Sequence, residues 1–133
     1  SKAILANDSN LQKIIKIVHK EIQIKLLSFL KINRNKKFVI LDIPLLLENK
    51  INKKKDILVY VESNKTDVIR RLKKRKNFNS RIIKKFKNIQ LSLVYKKKNS
   101  KFIIKNNFTQ KSVKDGIEKI LKVIENERSS SRY

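Results

Sequence analysis

Arginine is scarce in this chain and unevenly placed. Lysine supplies 28 of the 35 basic residues, and five of the seven arginines fall between positions 34 and 81. Three of these, Arg70, Arg71 and Arg75, lie in the stretch NKTDVIRRLKKRK at 64–76. A guanidinium offers a rigid planar fork of N–H donors that fits two phosphate oxygens, which an ammonium does not reproduce. On a helix, Arg71 and Arg75 share one face and could grip an oxyanion together; the alternative is a solvated basic face. A lone carboxylate, Asp42, ends the oily run in VILDIPLLLEN at 39–49. There it could hold a metal-linked water or a substrate donor, or it could cap a loop by accepting backbone amides. Pro44 is the only proline; it cannot donate to a ladder and so ends a strand. Glu48, after three leucines, could cap or form an ion pair. His19 is the only histidine, and alone on a helix it suits packing or hydrogen bonding better than general-base work.

Composition removes several kinds of chemistry. Without cysteine there is neither a disulfide framework nor a thiolate metal site, which agrees with a reducing, cytoplasmic setting. One histidine and scattered carboxylates predict no metal site, and no Ser–His–Asp set can be assembled. A single glycine, Gly116, excludes a glycine-rich phosphate loop within these 133 residues. No apolar run approaches the roughly 18–20 residues that span a bilayer, so no membrane partner is expected. The net charge of +24 points to polyanions. However, lysine, isoleucine and asparagine, all with A/T-rich codons, fill 62 of 133 positions, and the basic residues are dispersed. Incidental polyanion binding at low salt is therefore expected, with a basic nucleic-acid-binding module as the alternative.

These side chains need a frame. Residues 8–31 carry apolar side chains at 11, 14, 15, 18, 22, 26, 29 and 30, the spacing of a buried helix face, with Asp8 or Ser9 as N-cap. Residues 38–43, 57–61 and 102–104 read as strands, the first two covered on both faces. Helices are predicted over 64–76, capped by Asn64, over 80–98 and over 110–127, with a frayed tail at 128–133. Gly116 inside the last helix suggests a close contact. Strand–helix alternation implies an α/β fold with a parallel sheet and helices on both faces, binding ligands beyond the carboxyl ends of its strands. The expected organisation is one domain over 1–127, with a lid at about 70–98.

In these segments the chain resembles the bacterial dephospho-CoA kinases over nearly its whole length. LAND precedes a helix ending IVHKEI, VILDIPLLLEN matches the family's Pro-Leu-Leu…Glu segment, and DILVYVES matches the next strand. VIRRLKKR resembles the arginine-bearing lid helix, and Gln90 to Asn106 keeps the family spacing without gaps. The resemblance implies a P-loop NTPase-like kinase fold, N-terminally truncated, with a helical lid. It also implies transfer of the γ-phosphoryl of ATP, with Mg2+, to the 3′-hydroxyl of dephospho-CoA. His19, Asp42, Pro44, Leu45, Leu46 and Glu48 would then flank the acceptor, Arg71, Arg75 and Arg81 the phosphates, and Asn106 the adenine. The family's P-loop and catalytic aspartate would lie upstream of Ser1, so this chain is expected to be an inactive fragment without catalytic residues of its own. It could instead be a scaffold that still holds CoA-like ligands. Lys20 replaces the usual proline after the histidine, Phe108 a glycine common beyond the strand-end asparagine, and Lys101 and Phe102 a typically acidic approach to the last strand.

Overall fold

The computed structural model describes residues 8–130. In chain order the elements are α1 (Asp8–Ile32), β1 (Val59–Glu62), α2 (Lys65–Lys73), α3 (Ser80–Ile89), α4 (Leu93–Lys98), β2 (Phe102–Lys105) and α5 (Gln110–Ser130). Two compact units contain them. Residues through Lys54, with Asn79–Gln90, form one; Lys55–Phe78, with the residues from Leu91 onward, form the other.

In the first unit, α1 turns Leu11, Ile15, His19, Ile22, Leu26 and Leu30 away from solvent, at steps of three and four. At 3.6 residues per turn these six span an arc of roughly 100°. Ile14, Val18 and Phe29, expected on that face, fall at or beyond its edge and are exposed. Asp8 and Ser9 lie inside the helix, so neither precedes it as a cap. The LAND stretch, up to residue 7, lies outside the described residues. At the other end, both the backbone N–H and the side-chain amide of Asn33 donate to the Phe29 carbonyl.

Residues 38–43 are not a strand. Their exposure alternates with period two, Val39, Leu41 and Ile43 turned in and Phe38, Ile40 and Asp42 out, with Ile40 88% exposed. The backbone finds no ladder partner among the described residues, and a strand exists only through pairing. The PLLLE segment follows as a single helical turn. Asn49 N–H donates to the Leu45 carbonyl, Ile51 N–H to Leu46 and Lys50 N–H to Leu47. The last two bonds are the crossed pair of a Schellman ending, and Lys50, at φ 51°, takes the left-handed position that glycine usually fills.

The second unit is built on β1 and β2, parallel and in register from Val59 opposite Phe102 to Glu62 opposite Lys105. Val59 and Val61 share a face with Phe102 and Ile104. The two expected strands at 57–61 and 102–104 are thus found at 59–62 and 102–105, but Val59 and Val61 are 40% and 53% exposed. A pair of strands with α5 on β2 cannot cover both faces as a wider sheet would. The seat of α5 is Gly116, where a Cβ would stand 3.0 Å from Cγ2 of the buried Ile104. Lys101 Nζ reaches Glu127 on α5 at 2.6 Å, and Lys97 Nζ reaches Glu62 at 2.7 Å.

Asparagine and serine side chains start α2, α3 and α4. Asn64 Oδ1 accepts from Thr66 N at α2, and Asn79 Oδ1 from Arg81 N and Ile82 N at α3. The helix expected over 80–98 is broken in two, since Gln90 is extended and the Ser92 hydroxyl accepts from Tyr95 N to begin α4. A serine that satisfies free amides starts a helix more readily than it sits inside one. The last helix runs past 127 to Ser130, so residues 128–130 are helical rather than frayed.

Two substitutions test these constraints. Gly116→Val forces branched carbon against Ile104 and should lower unfolding stability by about 1–3 kcal/mol in urea titrations. Lys50→Gly removes left-handed strain at an exposed site and should raise it by about 0.5–1 kcal/mol.

Candidate functional site

Beyond β2 the chain makes a tight sequence of side-chain-to-backbone turns. Asn106 N–H continues the ladder by donating to the Glu62 carbonyl at 2.7 Å. Its Oδ1 turns forward and accepts from Phe108 N at 2.7 Å. Asn107 Oδ1 accepts from the N–H and the hydroxyl of Thr109, and Thr109 Oγ1 accepts from Ser112 N in the first turn of α5. Such local bonds hold a loop without a buried core. They also hold Phe108 at φ 65°, a left-handed conformation costing a residue with a Cβ about 1–2 kcal/mol.

This turn borders an open groove of about 630 Å³. Phe108, Val113 and Ile117 give it apolar surface, while Asn106, Gln110 and Glu118 bring polar edges. The Arg71 guanidinium from α2 lies over the Phe108 ring, 4.4 Å from its centroid. That cation–π contact uses the charge of the guanidinium and consumes none of its N–H donors on a protein acceptor. Arg70 is committed elsewhere, bonded to Asp67 Oδ1 at 2.6 Å. Arg75 lies past the end of α2, its N–H donating to the Leu72 carbonyl. Of the expected pair, Arg71 is therefore within α2 and Arg75 lies in the turn after it, since α2 stops at Lys73 and not at 76.

The other expected site residues belong to the first unit. His19 sits in the inward stripe of α1, and its Nε2 is buried without a hydrogen-bond partner. Asp42 and Pro44 are exposed, whereas Leu45, Leu46 and Glu48 are half-buried in the Schellman-closed turn. Arg81 is exposed in the first turn of α3, where its own N–H bonds to Asn79. Among the described residues no three His, Asp or Glu side chains cluster as a metal site would require. These residues thus offer Mg2+ no protein-built cage, and no chemical step is assigned to it. Phe108 is the site residue that residue-type reasoning passes over. Its signal was available as an aromatic side chain where a glycine would be usual.

The fold and these side chains define a small α/β protein: among the described residues, five helices and a parallel strand pair, with an arginine beside the groove at one strand end. Residues 1–112 match the protein family Dephospho-CoA kinase, and the chain belongs to that family. A comparison with curated proteins finds no match. No helix among the described residues is long and apolar enough to cross a membrane.

Electrostatics on the strand pair can be tested directly. The hydrogen bond from Lys97 holds the Glu62 carboxyl below its ordinary value of 4.5, opposed by partial burial and assisted by the Lys97 and Lys105 charges. A depressed carboxyl stabilises the fold above its unfolded value and loses that contribution as pH falls through the folded one. Lys97→Met should therefore lower the melting temperature near neutrality, and the gap to the parent protein should close at pH values well below 4.5. A gap that stays constant with pH would assign the effect to packing alone.

Proposed function

We propose that this chain serves ATP-dependent phosphorylation of the 3′-hydroxyl of dephospho-CoA, the reaction that completes coenzyme A. The carrying observation is Arg71 over Phe108 at the Asn106 strand end, in a chain of the dephospho-CoA kinase family. Phosphoryl transfer depends mainly on positioning and on neutralising charge over the transferring oxygens. Arg71 supplies a guanidinium fork for that charge, with Arg75 as a further cation of the same unit, and the family resemblance adds Arg81. Asn106 offers an amide edge near the adenine, although its Oδ1 is already engaged by Phe108 N. The family resemblance assigns His19, Asp42, Pro44, Leu45, Leu46 and Glu48 to acceptor binding. The exposed Asp42 takes the part of a carboxylate acceptor for substrate donors, and the buried Nε2 of His19 that of a polar group awaiting a partner.

The one glycine of the chain is inside α5, so no glycine-rich loop of these 133 residues cradles the phosphates. The chain by itself should bind both ligands and transfer nothing. Calorimetry at physiological salt tests this. Dephospho-CoA and ATP should each give heat without product, and Arg71→Ala should weaken ATP about 10-fold or more while sparing dephospho-CoA. Absence of heat with both ligands at millimolar concentration defeats the proposal. The +24 charge and the run RRLKKRK at 70–76 favour a second reading as a polyanion binder. That reading requires duplex DNA or RNA to remain bound at the same salt, whereas incidental binding collapses there.

A further inference from the structure

Phe108 occupies a costly backbone position, and its ring makes a contact that glycine could not. The ring lies beneath the Arg71 guanidinium at 4.4 Å and lines the groove on its other account. Neighbouring Arg70 is tied to Asp67, but no carboxylate or carbonyl among the described residues takes the Arg71 donors. A guanidinium seated over an aromatic ring keeps its N–H donors available for the fork that a bidentate oxyanion requires. Without the ring, a long arginine side chain on an exposed helix samples many rotamers, and each must be given up when an anion binds.

We propose that Phe108 is a positioning residue for Arg71: its ring preorganises the guanidinium fork for a polyphosphate ligand. The inference rests on the reading of Arg71 as a phosphate-binding residue and adds the means by which that side chain is held. Adenine recognition has no part in it, so a ligand with phosphates and no base must feel the effect equally.

The experiment titrates ATP and, separately, inorganic tripolyphosphate into the full chain at about 0.15 M salt, where loose surface attraction is screened. Phe108→Leu should weaken both ligands about two- to five-fold, and Phe108→Tyr should keep parent affinity. In an Arg71→Ala background, Phe108→Leu should change nothing further. Phe108→Gly separates this role from packing: it relaxes the left-handed backbone, so it should lose affinity while keeping the parent melting temperature or exceeding it. A loss confined to ATP would make the ring a platform for the base and overturn the proposal. A loss that persists without Arg71 overturns it too, as does unchanged affinity in Phe108→Leu. If Arg71→Ala itself leaves both ligands unaffected, the phosphate-binding reading of Arg71 falls, and the role of Phe108 falls with it. If Arg71→Ala weakens both while Phe108→Leu is silent, only the role of Phe108 falls.

Discussion

The contact between Gly116 and Ile104 is the constraint on which the second unit turns. Among the described residues only Leu11, Ile104 and Ile124 are buried apolar residues, and the last two belong to this unit. With so few, close approach of α5 to β2 has to yield more than area would suggest. Interiors pack densely, and dispersion falls steeply with small gaps. A methyl group at position 116 would press on a stiff β-branched side chain or lift the helix from the strand. Everything beyond that seat follows from it: the strand end at Asn106, the turn into α5, and the groove along the first turns of that helix. The surface ion pair from Lys101 to Glu127 closes the same interface but contributes little by itself.

Much of this frame was legible in the chain before any coordinates. The two strands fall within a residue or two of the apolar runs at 57–61 and 102–104. Asn64 starts α2 as its side chain predicts, and Gly116 marks the close contact that a lone helix glycine suggests. Failures occurred where local pattern depends on something non-local. VILDI has every strand-forming residue and a strand's alternation of exposure, yet pairing is a property of two segments. The stretch 80–98 has helical periodicity throughout, but the periodicity cannot show that Ser92 caps a new helix. Likewise the basic run to 76 cannot show that α2 ends at Lys73 and leaves Arg75 in the following turn. Phe108 stayed out of view because its importance comes from a neighbour 37 positions away in sequence, Arg71.

Charge is distributed with a consistent logic in the second unit. Eleven acidic residues face thirty-five basic ones in the whole chain. Asp67, Glu62, Glu127 and Glu118 each take a basic partner, Arg70, Lys97, Lys101 and Lys114 in turn. Acids are thus spent locally on helices and strand ends, and the large cationic remainder faces outward. That surface draws in any polyanion, so discrimination among phosphates cannot come from attraction. It must come from geometry, and a guanidinium resting on an aromatic ring is more sharply oriented than a freely hydrated lysine.

Among the described residues, Leu45, Lys50 and Phe108 adopt left-handed backbone, while the sole glycine of the chain does not. The three left-handed sites and the site of close helix–strand approach thus make different demands on the residue that fills them. A left-handed turn without glycine is a modest, continuous cost, and local hydrogen bonds at Leu45–Ile51 and Asn106–Thr109 absorb it. Overlap with a buried side chain is not continuous in that sense, since the helix either sits down on the strand or it does not. The glycine of this chain therefore serves steric clearance, and conformational freedom at the left-handed turns is managed without it.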